Sequence, residues 1–304
     1  MPLFELAALG AAAMWALTGI ISTEPSRALG AIGFSRVRMS IVFVMLALAA
    51  LATSGWSTIS EPIWGPILLS GFIGIFVGDT ALFLTLNRLG PRATSILFAA
   101  NAPIAVLLGW VVLSEALAPI ALLGVALAFA GIVLAILYGR RTEGRGLDPF
   151  EATNGPLTVA IILGLTAALC QAIGTLIARP VMSGELTGSP PDPVAVSAIR
   201  VGIAAVALHL SALLPTPATK IAAPLTWRLL GQTTLSGFLA MGVGMTLLLF
   251  ALEGGKVGIV STLSATTPVL ILPLLWFASG QRPTAGAWVG ATLTVIGSAL
   301  IFTR

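Results

Sequence analysis

One carboxylate lies deep within an apolar run of this chain: Asp79, between Trp64 and Leu86. A carboxylate in hydrocarbon is costly unless paired, hydrated or protonated, so its default reading is functional. It can accept a proton or hold the ammonium group of a solute. At helical spacing Phe72, Phe76, Asp79, Phe83 and Leu86 share one face, which surrounds the charge with aromatic surface. The competing reading is a structural ion pair with Arg38 or Arg200, which lie inside two other apolar runs. These arginines occupy matching places, Ser35-x-x-Arg38 and Ser197-x-x-Arg200. A duplicated position favours an architectural role, by snorkelling or by binding a backbone carbonyl, over recognition of an anion. His209 has no counterpart and reads as a satisfied interior histidine.

A second group of candidates bends or lines rather than reacts. Pro103 and Pro268 lie near the middle of apolar runs, and each frees the carbonyl four residues earlier, at Ala99 and Ser264. Such carbonyls are tolerated at membrane depth only where protein or water satisfies them, so both prolines are candidate hinges facing a central cavity. Asn101 beside Pro103, and Thr266 and Thr267 before Pro268, support that reading. Ala11, Trp15, Thr18 and Ser22 form one helical stripe; Ala167, Gln171, Gly174 and Ala178 form another. Trp15 and Gln171 are too deep for interfacial anchors and are candidates for the cavity wall, although close helix packing explains the small residues on the same stripes.

The elements that must position these groups are membrane helices. Of 304 residues, 57% are apolar and 9% charged, against about 25% charged in soluble domains. Apolar runs fall at about 3–22, 32–52, 64–86, 93–112, 118–137, 156–178, 193–214, 228–252, 258–276 and 286–303, each close to the ~20 residues that span a bilayer. Short connections rich in turn formers separate them, such as Leu89-Gly90-Pro91 and Pro215-Thr216-Pro217. The single cysteine, Cys170, excludes a disulfide framework or a thiolate zinc site. A net charge of +4 does not indicate nucleic acid, because the basic residues sit in short loops. No metal-binding histidine pair, G-x-S-x-G elbow or paired carboxylate occurs within a span, which argues against a membrane-embedded enzyme. Nothing calls for a cofactor or a metal.

The ten runs form two similar sets of five. Gly71-Phe72 recurs as Gly237-Phe238, a shift of 237 − 71 = 166, and Thr80, Ser95, Leu97, Gly124 and Gly131 recur at that shift as Thr246, Ser261, Leu263, Gly290 and Gly297. By the same shift Asp79 corresponds to Met245, so the charge is not duplicated. Five is odd, so the second set is inverted with respect to the first. Inverted duplication places a cavity near the membrane midplane, as in many secondary transporters. The expected fold is therefore an all-α integral membrane protein, ten transmembrane helices as two inverted five-helix repeats around a central cavity. The repeats would occupy 1–138 and 156–304, with a polar linker at 139–155. One side of the membrane holds Arg27, Arg36, Arg88, Arg92, Arg140, Arg141, Arg145, Lys220, Arg228 and Arg282; the other holds Arg179, Lys256 and Arg304. By the positive-inside rule both termini are predicted outside the cytoplasm. Paired Gly-x6-Gly spacings, Gly124/Gly131 and Gly290/Gly297, predict close helix packing.

The run Leu89-Gly-Pro-Arg-Ala-Thr-Ser-Ile-Leu, then Ala102-Pro103, then Leu113-Ser114-Glu115 before Gly124 and Gly131, resembles the EamA-type repeat of the drug/metabolite transporter superfamily. The second half resembles it through Gly255-Lys-Val-Gly-Ile-Val-Ser, Thr267-Pro268, Gly290 and Gly297, with Gln281 standing where the first half has Glu115. The resemblance covers nearly the whole chain and is closest in character to the YddG-like amino-acid exporters. It implies export of amino acids or other small metabolites across the inner membrane by alternating access. It also implies a cavity wall including Trp15, Asp79, Phe83, Asn101, Gln171, Met245, Phe250 and Thr267, with Pro103 and Pro268 as hinges. The implied partners are a small solute and membrane lipid, with a monomer sufficient because both halves lie in one chain. Export of lipophilic drugs is the alternative within the superfamily; lipid scrambling and enzymatic activity are remote ones.

Overall fold

A computed structural model of the protein describes residues 2–113, 119–138, 155–254, 260 and 263–302. Glu115, the linker arginines Arg140, Arg141 and Arg145, Lys256 and Arg304 lie outside the described residues. Helix accounts for 85% of the structure, with no strand among the described residues. In chain order the helices are α1 (Pro2–Ile21), α2 (Thr23–Leu29), α3 (Ala31–Ala52), α4 (Trp64–Gly71), α5 (Gly78–Phe98), α6 (Asn101–Leu113), α7 (Pro119–Tyr138), α8 (Leu157–Met182), α9 (Pro193–Ser211), α10 (Trp227–Gly237), α11 (Met245–Gly254), α12 (Thr267–Ser279) and α13 (Ala285–Phe302). Seven continuous helical stretches are long and apolar enough to cross a membrane, and α6, α12 and α13 add shorter apolar helices, in line with ten spanning segments. The fold is an all-α membrane bundle of two inverted five-helix repeats around a central cavity.

The repeat extends to details that hydropathy does not carry. A π-helix, Phe72–Val77, joins α4 to α5, and a second, Phe238–Gly244, joins α10 to α11, offset by 238 − 72 = 166. Helix α5 turns a corner at Gly90, whose φ of 77° and ψ of 173° suit glycine alone, and Pro91 opens the next helical segment there. The fourth and ninth spans break at Ala99–Ala100 and Ala265–Thr266, again 265 − 99 = 166 apart, just before Pro103 and Pro268. The carbonyl that Pro268 frees, Ser264 O, accepts from Thr267 Oγ1 at 3.2 Å. That freed at Ala99 accepts from Ala102 N at 3.3 Å.

The halves interlock. Helix α1 packs against α11, α12 and the second π-helix, all from the other repeat, while its counterpart α8 packs against α4, α5 and the first π-helix. Ser22, just after α1, shares a hydrogen bond of 2.6 Å with Ser236 of α10, and Ser70 Oγ of α4 donates to Gly174 O of α8 at 2.7 Å. Ser70 and Ser236 are repeat mates, 236 − 70 = 166. The arginines are exchanged likewise. Gly71 lies so close to the Arg200 backbone that a Cβ would stand 2.7 Å from its Cα, and Gly237 lies against Arg38 Cγ and Val42. At the periphery α7 and α13 meet along Gly124, Gly131, Gly290 and Gly297, the close packing that their spacing predicts.

Candidate functional site

Between the halves lies a cavity in two adjoining lobes of about 90 and 40 Å³. Trp15, Ser95, Phe98, Gln171 and Thr267 border both lobes. At ~10–15 Å³ for one water, the larger lobe has room for several waters or the polar head of a small solute.

Each wall element contributes for a local reason. The stripe on α1 brings Trp15, Thr18 and Ser22 to the cavity, and Trp15 Nε1 donates to Ala240 O at 3.1 Å. Ala240 lies inside the second π-helix, where the widened turn loosens the backbone ladder, so α1 captures a carbonyl of the opposite repeat. On α8 the small residues Ala167 and Gly174 allow close approach, leaving Gln171 at the wall, buried. Asn101 borders the smaller lobe and donates through Nδ2 to Phe98 O at 2.6 Å across the break of the fourth span. Thr267 donates to Ser264 O and reaches Ala12 O at 3.4 Å, tying the break of the ninth span to α1.

The charged part of the wall is Arg38 with Asp79. Both are buried, at 2% and 8% exposure, and Arg38 Nη1 lies 3.5 Å from Asp79 Oδ2. The Arg38 guanidinium stands over the Phe83 ring at 4.8 Å and near Phe34 at 5.8 Å; the two rings meet edge to face. This is a cation–π box with one carboxylate at its mouth. Among the described residues no group hydrogen-bonds Arg38 Nε, Arg38 Nη1 or Asp79 Oδ2. In the second repeat Arg200, equally buried, donates Nη1 to Met245 Sδ at 3.3 Å, a weak acceptor. Neither arginine snorkels, and neither binds a backbone carbonyl of the described residues.

Among the residues singled out from sequence, Trp15, Asp79, Phe83, Gln171, Met245 and Thr267 line the larger lobe, and Asn101 and Pro268 the smaller. Pro103 is buried at the adjacent break. Phe250 lines neither lobe: its ring packs on Phe4 at 5.1 Å. The expected shared face of Phe72, Phe76 and Asp79 also fails, because Phe72 is 41% exposed and stacks on Phe76. The second departure has a local cause. A π-turn inserts one residue, which rotates the rest of the span by ~100° relative to a regular helix. His209 is exposed rather than interior, with Nδ1 at 2.9 Å from Ala205 O of its own helix. Missing from the sequence-based wall are Arg38, Ser95, Phe98 and Met241. Ser95 and Phe98 are detectable in principle, since they precede Asn101 at intervals of three on one face.

The family model for EamA-like transporters matches the chain twice, over residues 3–137 and 158–303, once per repeat. No curated protein matches it. A solved crystal structure superimposes over 98% of this chain and 95% of its own, with a TM-score of 0.71 at 19% identity, a likeness of fold.

Proposed function

Because the chain belongs to the EamA-like transporter family, and is thus a multi-pass membrane transporter of the drug/metabolite type, we propose that it exports small neutral metabolites. Amino acids, including large apolar and aromatic ones, are the substrates we favour, as for the YddG-like exporters. The carrying observation is the lining of the central cavity: Phe83, Phe98, Leu82, Leu86, Met241 and Met245 surround one ion pair, so a small charged head and an apolar tail both find complements. Alternating access would proceed by rocking of the two repeats, with the breaks before Pro103 and Pro268 absorbing the bend. The charge distribution of the loops favours termini outside the cytoplasm, and the resemblance to the YddG-like exporters favours a place in the inner membrane. The test is counterflow in proteoliposomes, run across labelled amino acids, nucleotides and sugars. Exchange of leucine and phenylalanine with no exchange of nucleotides or sugars supports the reading; the reverse pattern refutes it.

A drug-export reading has one observation behind it, the aromatic box of Phe34 and Phe83, which would receive a lipophilic cation if Arg38 moved away. Rescue of cells from cationic dyes but not from toxic amino-acid analogues would favour it.

A further inference from the structure

We propose that the Arg38–Asp79 pair is the head-group site of the cavity: the carboxylate of a zwitterionic solute replaces Asp79 on Arg38, and the released Asp79 carboxylate takes the solute's ammonium group. The proposal rests on the amino-acid reading above and specifies how such a solute would be held.

Three features of the pair separate it from a structural ion pair. A charge-assisted N–H···O bond closes to ~2.7–2.9 Å, whereas Arg38 Nη1 and Asp79 Oδ2 stand 3.5 Å apart and neither is hydrogen-bonded. A buried pair offsets the loss of its hydration only when the remaining donors and acceptors are satisfied, and Arg38 Nε is not. Both residues line the cavity, and because the unfilled atoms themselves are closed off from it, an incoming head group reaches them by parting the pair.

The second repeat differs from the first at the matching place. It holds Arg200 at the matching place, equally buried, with Met245 where the first repeat has Asp79. Arg200 does not line the cavity. Asp79 also lies within electrostatic reach of Arg200, so one carboxylate faces both buried guanidiniums, and only Arg38 meets it at the cavity wall. The acid is present only in the repeat whose arginine faces the cavity. Two buried guanidiniums against one carboxylate also leave the region with an excess positive charge, which favours a carboxylate as the incoming group.

The dimensions suit an α-amino acid. Its ammonium nitrogen and carboxylate carbon are two bonds apart, about 2.5 Å, close to the 3.5 Å separating the atoms it would bridge. Its side chain would then lie along Leu82, Leu86 and Met241.

The experiment compares four probes that share a benzyl tail: L-phenylalanine, phenylalaninamide, 3-phenylpropionate and 2-phenylethylamine. Binding to the purified protein is read as thermal stabilisation and as inhibition of phenylalanine counterflow. Wild type should prefer phenylalanine to each of the other three by at least tenfold. Asp79→Asn should lose the penalty against phenylpropionate while keeping the one against the amide. Arg38→Gln/Asp79→Asn, which removes both charges of the contact and whose folding is checked by its own melting transition, should bring all four probes within about twofold of one another. Wild-type-like discrimination in both variants, or a flat series in wild type, overturns the head-group site while leaving amino-acid export standing. Failure of wild type to exchange any amino acid, with exchange of another solute class, overturns the export reading and the head-group site with it.

Discussion

The seam between α7 and α13 allows a sharp prediction about what holds the repeats together. A Cβ added at Gly131 would stand 2.5 Å from Thr294 N, 2.6 Å from Thr294 Oγ1 and 2.7 Å from Gly290 O. Carbon contacts settle at ~3.5–4.0 Å, so Gly131→Ala must part the helices by about 1 Å. Overpacking costs ~1–3 kcal/mol, and because two of the three obstructing atoms belong to the backbone this site belongs at the upper end. Alanine returns ~1 kcal/mol of helix propensity, which leaves a net loss of ~2 kcal/mol. Gly231, exposed within α10, has no heavy atom within 4 Å of the same hypothetical Cβ. There the propensity gain of ~1 kcal/mol stands alone. With an unfolding entropy of ~2 cal/mol/K per residue over 304 residues, these become a fall of about 3 °C for Gly131→Ala and a rise of about 1–2 °C for Gly231→Ala. Tryptophan fluorescence of the purified protein during a thermal ramp reads both. A Gly131→Ala protein that melts at or above wild type would refute the close approach of α7 and α13.

The site itself carries three more expected outcomes. Trp15→Phe removes the donor to Ala240 O, a bond worth ~1 kcal/mol net, and should slow counterflow by about fivefold if that bond is made in only one of the two access states; an unchanged rate separates Trp15 from the transport cycle. Pro103→Ala combined with Pro268→Ala restores an N–H near each break and should lower turnover while leaving the melting temperature equal or higher; full turnover in the double variant shows the prolines are not hinges. Single cysteines placed at residues 3 and 285 in a Cys170→Ser background report the N-terminus and the start of α13, and membrane-impermeant maleimide should label residue 3 from outside and residue 285 from within. The opposite labelling reverses the predicted orientation.

Spans, duplication and inversion are legible in the sequence because apolar length and matched landmarks such as Gly71/Gly237 are one-dimensional properties. The breaks before Pro103 and Pro268 are legible for the same reason: proline acts on its own helix. What hydropathy misses is helical phase. The π-turns at Phe72–Val77 and Phe238–Gly244 leave composition unchanged yet rotate everything after them. A regular helix therefore puts Phe72 and Asp79 on one face, whereas in the structure Asp79 lines the cavity and Phe72 is exposed. Sequence also leaves the partner of Asp79 undetermined, because Arg38 and Arg200 are equivalent there, and only the packing of α3 and α5 chooses between them.

The choice of Arg38 reflects a wider property of this fold. Repeat mates share a backbone environment, so wherever both copies keep a residue, as Ser70 and Ser236 do at the interlocking contacts, the shared scaffold suffices as explanation. Where the copies differ at a buried polar position whose groups their own helix does not satisfy, the shared scaffold does not explain the difference. Asp79 against Met245 is such a difference, and Trp15 against Gln171, on the matching stripes of α1 and α8, is another. All four residues line the same lobe. A solute has no two-fold symmetry, and a cavity that recognises one must depart from the symmetry of the helices that build it. Along the α7–α13 seam the glycines Gly124, Gly131, Gly290 and Gly297 keep the symmetry, and its buried polar departures, Thr294 against Ala128 and Ser298 against Ile132, are hydroxyls bonded to carbonyls of their own helix. Unlike those hydroxyls, Asp79 Oδ2 finds no hydrogen-bond donor on its own helix among the described residues, and a duplicated scaffold holding an asymmetric site places such a group at the cavity.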